Sequence, residues 1–176
     1  MLEFASVVIP VVYARDMAQI EVKLLAPQPG SLESYNPRLA RLHDYWIGKC
    51  AGRPLPSRAD IEPLEMREWL GNLLLAEFFG GVEHYRVRLD GSNLIGYGGK
   101  DRTGKGSEVL TSAEERNLII AQYKPVLDTA QPAYFETQFI NSEGRYLREQ
   151  KLLLPLSDDG SLVNMVLAGI YYRELK

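Results

Sequence analysis

The sequence predicts an α+β fold: a five-stranded antiparallel sheet with helices on one face, preceded by an N-terminal amphipathic helix. Three observations predict it. Apolar residues pass from helical spacing to strand-like runs near residue 72 and again near residue 133. The helical segments gather in blocks instead of alternating with strands, which favours an antiparallel sheet. Gly80-Gly81 and Ser157-Asp158-Asp159-Gly160 are turn sequences between runs of strand length.

The elements follow in order. Residues 1–34 read as an N-terminal extension whose apolar stretch Phe4 to Ala14, broken by Pro10, suits a strand or docking segment. It is too short for a membrane span, which needs about 20 apolar residues. It also lacks the positive flank of a secretory signal, since Glu3 is the only charge before it. Pro27 to Ser31 then breaks the chain. Asn36 is a good N-cap and Pro37 suits the first helical position. Leu39, Leu42, Trp46 and Cys50 lie along one face, and Gly52 ends the helix. Pro54, Pro56 and Pro63 forbid regular structure in the connector that follows, and a short helix is expected over Leu64 to Leu70. We divide the chain into 1–34, the extension; 35–62, a flanking helix and proline-rich connector; and 63–176, the core.

Leu73 to Leu89 reads as a hairpin, its second strand alternating Tyr85, Val87 and Leu89 with Arg86, Arg88 and Asp90. Glycines 96, 98, 99, 104 and 106 punctuate short helical turns. Ser112 with Glu115 forms a capping box for a helix to Ala130, which Pro125 should bend. Ala133 to Asn141, Arg145 to Leu154 and Leu162 to Tyr172 are strands, the last the most apolar and so central, with Asn141 to Gly144 a turn.

Composition narrows the function. Of 176 residues, 45% are hydrophobic and 24% charged, as in globular domains, so disorder is excluded. A net charge of -3 argues against a nucleic-acid partner. Cys50 stands alone, which removes intrachain disulfides and cysteine zinc sites and makes it a buried structural residue. His43 and His84 are isolated, so no metal site is expected. Gly99 to Gly106 nearly matches a phosphate-binding loop, but Gly106 stands where Ser or Thr is needed, and we read a solvated turn. No serine-nucleophile or Cys/His grouping is legible, so no catalytic residue is assigned. Arg53, Arg58 and Asp60 form the most distinctive cluster. It reads as a structural clip, Arg58 forking onto Asp60 or Glu62, or else as an anion site.

The element order resembles the PAS fold, a sensory α+β module. Tyr45-Trp46, Gly52-Arg53, Pro56-Ser57-Arg58, Asp60-Ile61 and Pro63 resemble the lead-in of a bacterial stand-alone PAS-type family. Tyr85 to Leu89 with Gly91 resembles its second strand, and Gly99-Lys100-Asp101 with Thr103-Gly104-Lys105 its short-helix region. The resemblance runs from about Leu39 to Tyr172. It implies a cytoplasmic bacterial signal-transduction module that binds a small-molecule ligand or protein partner without catalysis. It implies a cavity between sheet and helices, with candidate lining residues Leu94, Tyr97, Ile120, Tyr123, Leu127, Phe139, Leu152 and Met165. It implies a homodimer in which the flanking helix pairs between subunits, with Tyr45, Trp46 and Val7 to Val12 as contacts, and an output carried by a signalling protein partner. Relatives place a haem-ligating histidine on the long helix and an adduct-forming cysteine near the short helices. Both residues are missing there, so no cofactor is predicted: haem and covalent flavin are not expected, and a non-covalent ligand stays open. The rival expectations are a dimerisation adaptor with a filled core and a small enzyme acting on a pocket ligand. No membrane partner is expected.

Overall fold

The computed structural model describes residues 7–11, 20–25, 36–98, 100–110, 113–140 and 144–176. Among them, seven strands form one antiparallel sheet: β1 (Val7–Val11), β2 (Ile20–Leu25), β3 (Leu73–Phe78), β4 (Tyr85–Asp90), β5 (Ala133–Ile140), β6 (Tyr146–Leu156) and β7 (Met165–Glu174). Their order is β1-β2-β5-β6-β7-β3-β4. The five strands expected from the sequence are therefore contiguous, with β7 at their centre. The β1–β2 hairpin extends them, because β2 pairs along β5 with Leu24 opposite Phe135. The Ser112 capping box, Gly99, the turn at Asn141 to Glu143 and most of the N-terminal extension, Val12 included, lie outside the described residues.

Among the described residues, three helices cover the sheet: α1 (Pro37–Cys50), α2 (Ser92–Gly98) and α3 (Ala113–Thr129), the last containing Pro125. The Asn36 side chain caps α1 by accepting from the N–H groups of Arg38 (3.0 Å) and Leu39 (3.4 Å). The helix ends where Ala51 and Gly52 turn left-handed, at φ 48° and 82°. The short helix expected over Leu64 to Leu70 is instead a chain of turns. Its N–H groups bond mainly three residues back, as in Met66 to Pro63, and it closes in a 3-10 turn at Leu70–Asn72.

The two faces of the sheet are covered differently. On the inner face, α2 and α3 bury Leu94, Tyr123 and Val126 against Phe78, Val87, Phe135, Leu153 and Ile170. On the outer face, α1 and the connector bury Leu39, Leu42, Trp46, Leu55 and Trp69 against Leu75, Leu154, Leu156 and Leu167. Helix α1 comes so close that a Cβ on Gly169 would sit 2.5 Å from Leu42 Cδ2 and 2.8 Å from Leu39 Cδ2. The indoles lock this layer: Trp46 Nε1 donates to the Pro155 carbonyl (2.8 Å) and Trp69 Nε1 to that of Arg38 (2.9 Å).

Trp46 is thus a core residue of its own chain, at 7% exposure. An apolar helical stripe must bury against something, and here it buries against its own sheet. Tyr45 is also engaged within the chain. Its hydroxyl donates to Glu65 (2.9 Å) and accepts from the Glu62 N–H (3.2 Å), and its ring lies 5.8 Å from that of Trp69.

The connector cluster is arranged differently from the expected fork. Asp60 accepts from the Ser57 N–H (2.7 Å) and hydroxyl (2.8 Å), and its ion-pair partner is Arg53 (2.8 Å). Arg53 also donates to the carbonyls of Cys50 and Lys49 at the end of α1. Arg58 donates instead to the Ile61 carbonyl (2.9 Å). A 3-10 turn at Arg58–Asp60 brings the Asp60 carboxylate back over Ser57, toward the helix end where Arg53 sits. The Ser57 hydrogen bonds, joined by Arg53, hold the Asp60 carboxyl at about 2.

Candidate functional site

The inner face contains charge as well as apolar surface. Side chains alternate along β6, so Leu147, Glu149, Lys151 and Leu153 share a face. Leu147 and Leu153 are fully buried, and Glu149 and Lys151 are each 7% exposed. Lys151 Nζ pairs with Glu149 Oε1 at 2.8 Å and donates to Gln122 Oε1 at 2.9 Å. Gln122 is fully buried on α3, and its amide nitrogen reaches Thr137 Oγ1 on β5 at 3.5 Å. Burial pushes the Tyr172 hydroxyl well above its ordinary value, and the Glu149 carboxylate, to which it is hydrogen-bonded, pushes the same way. One polar chain therefore ties β5, β6 and β7 to the middle of α3.

A second pair lies across the same space. The register of β3 and β4 shifts between Leu75 and Ala76, where Leu75 faces Leu89 but Ala76 faces Val87. The extra residue on β4 is a bulge, which turns the strand. As a result Val87 and Asp90 are buried together while Leu89 is 36% exposed, against the alternation expected from the sequence. Arg102 grips Asp90 with both arms of its guanidinium (2.8 Å each) and with its backbone N–H (3.0 Å). Burial works to lower the Arg102 pKa, but the Asp90 hydrogen bonds and charge outweigh it and raise it. The stretch read as a phosphate-like loop is thus fastened to the fold. Arg102 faces inward, and the loop pairs along β4 through Gly104 N–H to Val87 O and Val87 N–H to Lys105 O.

Between these pairs lies a cavity of about 70 Å³ bordered by Tyr85, Arg102, Tyr123, Glu149, Lys151 and Tyr172, among others. Burial raises the pKa of Tyr123, so its hydroxyl is a neutral donor or acceptor. Two cations and two carboxylates line or flank the space, each tied to a counter-charge. Buried charges are tolerated when paired in this way.

Of the eight candidate lining residues, Tyr123 borders this cavity. Leu94, Leu127 and Phe139 pack in the inner apolar layer. Tyr97 lies 5.0 Å from the Tyr172 ring, and Phe139 meets that ring edge-on at 6.1 Å. Ile120 is half-buried on α3. Leu152 and Met165 belong to the outer layer instead, because Leu152 alternates with Lys151 and Leu153 on β6 and must face the opposite way. Sequence reasoning missed Asp90, Arg102, Gln122, Glu149, Lys151 and Tyr172. The Leu147–Glu149–Lys151–Leu153 alternation was a readable signal for two of them.

His43 is half-buried beside the Trp46 ring (6.1 Å), and burial lowers its pKa; His84 is exposed. Cys50 is partly exposed at the end of α1. Among the described residues no three histidine, cysteine or acidic side chains gather as metal ligands, and no helix is long and apolar enough to cross a membrane.

The model of the PAS domain family matches residues 35–171. Among solved structures the chain is similar to one described under "Flavin Analogue Sheds Light on Light-Oxygen-Voltage Domain Mechanism", with 10% identity and a TM-score of 0.46 over 64% of this chain and 83% of that one. It is also similar to an RNA-binding light-oxygen-voltage receptor, with 10% identity and a TM-score of 0.43 over 66% of this chain and 35% of the receptor. This chain therefore spans about a third of that receptor's length. No curated protein matches the sequence.

Proposed function

This chain belongs to the PAS domain family, and from that premise we propose a sensory or regulatory module, not an enzyme, whose interior under α3 takes a small uncharged ligand. The observation that carries the reading is the polar chain Thr137–Gln122–Lys151–Glu149–Tyr172, buried beside the cavity. Burying such groups is costly unless all are paired, and a fully apolar layer would be simpler to pack. Their placement links the ligand space to α3. A ligand that binds two positions of α3 unequally shifts the population between them. Because each charge already has a counter-charge, a charged ligand would leave one of them unpaired, which favours a neutral one. The family resemblance adds the setting: a bacterial cytoplasm, a homodimer, and a protein partner that carries the output.

Size favours a second reading. Sites for drug-sized ligands measure about 300–1,000 Å³, so a cavity of about 70 Å³ holds a few heavy atoms and no flavin or haem ring in this conformation. A filled-core adaptor fits the same volume. The two part in a thermal-shift screen of small neutral amides, alcohols and ketones against the full chain and Ala76→Val, which fills the cavity from β3. A ligand-binding interior gives a raised midpoint that Ala76→Val abolishes, since binding only to the folded state must stabilise it. An unshifted wild-type midpoint, together with an Ala76→Val protein of equal or greater stability, overturns the ligand reading in favour of the adaptor.

A further inference from the structure

Gln122 and Tyr123 are neighbours on α3, and both are buried. Gln122 uses its amide within the fold, accepting from Lys151 and reaching Thr137. The Tyr123 hydroxyl, by contrast, makes no hydrogen bond among the described residues. Its ring is held by packing, tilted against Phe78 with centroids 5.5 Å apart. A buried hydroxyl without a partner carries the cost of its desolvation uncompensated. Phenylalanine would fill the same space without that cost.

The surroundings of the hydroxyl are those of the interior cavity. Of the groups that act on it electrostatically, Arg102, Glu149 and Tyr85 line the cavity, and Asp90 is held by Arg102 at its edge. Burial keeps the hydroxyl protonated, so it has a proton to donate. Arg102 adds a second donor: it commits Nε and Nη2 to Asp90 and leaves Nη1 unbonded among the described residues. The acceptors are already engaged. Asp90 takes the Arg102 bonds, and Glu149 takes Lys151 and the Tyr172 hydroxyl. Donors are therefore in surplus, and Leu74, Ile119 and Ile170 make much of the remaining wall apolar.

On the ligand-binding reading of this cavity, we propose that its ligand is a small carbonyl compound, a short ketone or aldehyde, whose oxygen accepts a hydrogen bond from the Tyr123 hydroxyl while its alkyl end lies against the apolar wall. A ketone or aldehyde oxygen accepts and never donates, which suits a site with spare donors and engaged acceptors. The cavity of about 70 Å³ limits the molecule to a few heavy atoms. Because Tyr123 is on α3, this bond forms only when the cavity is filled and gives the helix a tie that the empty protein lacks. That is the unequal binding a population shift requires.

Amide-shift titrations of the full chain with acetone, with 2-propanol and with xenon under pressure test this, beside Tyr123→Phe and Ala76→Val. Xenon enters apolar cavities and forms no hydrogen bond. Acetone and xenon should both shift amides around Tyr85, Ile119 and Tyr123, and Ala76→Val should abolish both effects. Tyr123→Phe should weaken acetone about fivefold, the effect of one hydrogen bond, and leave xenon unchanged. Without ligand it should melt no lower than wild type, since it removes a hydroxyl that had no partner. 2-Propanol should bind severalfold more weakly than acetone, because its own O–H finds the acceptors engaged. Shifts from neither acetone nor xenon overturn the ligand-binding reading and this proposal together. Xenon binding without acetone, equal acetone affinity in wild type and Tyr123→Phe, or a lowered ligand-free midpoint in that variant leaves the reading standing and overturns the proposal. Equal affinity for acetone and 2-propanol overturns the carbonyl class.

Discussion

The two faces of one sheet are packed on opposite principles. The outer face is closed by α1 with apolar side chains and two indole hydrogen bonds, and helix and sheet touch so closely that a side chain at residue 169 would displace the ends of Leu39 and Leu42. The inner face is closed by α3 over a buried lysine, glutamate, glutamine and threonine, with a second ion pair at its edge and a cavity between. The outer layer gains stability from area and shape. The inner layer holds charges that contribute little net stability even when perfectly paired. On the proposed reading, α1 anchors the sheet and α3 responds to the ligand.

The strongest way to break the comparison is to open the outer layer. Trp46→Ala removes a buried indole and orphans the Pro155 carbonyl, and should cost about 3–5 kcal/mol in denaturant unfolding. A loss below about 1 kcal/mol would mean that α1 is loosely attached and free to pair with another subunit.

A pair of variants sharpens the inner half. Lys151→Met leaves Glu149 buried without its cation and should cost about 3 kcal/mol. Adding Glu149→Leu should restore most of that loss or exceed it, because both desolvated charges are then gone. If the double variant is as unstable as the single one, the polar chain is a structural necessity and the contrast between the faces fails.

The smallest effect tests the connector. Hydrogen bonds from Ser57, helped by Arg53, depress the Asp60 pKa to about 2 in the folded protein, from 3.8. A depressed acid contributes stability that is present above the unfolded value and lost as pH falls through the folded one. Asp60→Asn should therefore flatten the acid arm of the stability profile between about pH 4 and pH 2 and leave its shape near neutrality unchanged. Identical acid arms in the two proteins would mean that the clip contributes nothing.

Much of the fold was legible in the sequence. Asn36 and Gly52 mark the ends of α1, Gly80-Gly81 marks the β3–β4 hairpin, and the apolar run from Leu162 to Tyr172 marks the centre of the five core strands. These signals are local: a cap, a turn or a period acts through a few neighbouring residues. The site was far less legible. Leu152 was assigned to the pocket and Lys151 overlooked, although they are adjacent on one strand. Asp90 read as an outward residue, although it is buried against Arg102.

The sequence by itself determined the class of the five core strands and of α1 and α3, the alternation that separates Leu147, Glu149, Lys151 and Leu153 from their neighbours, and the apolar stripe of α1. Only the tertiary structure decided which alternating set faces α3, that a bulge turns Asp90 toward Arg102, and that α1 folds back onto its own sheet. The reason is physical. A strand's period defines two faces without naming the inner one, and a one-residue shift in pairing exchanges them. The choice is made by contacts between segments far apart in the chain, such as Lys151 with Gln122 and Gly169 with Leu42.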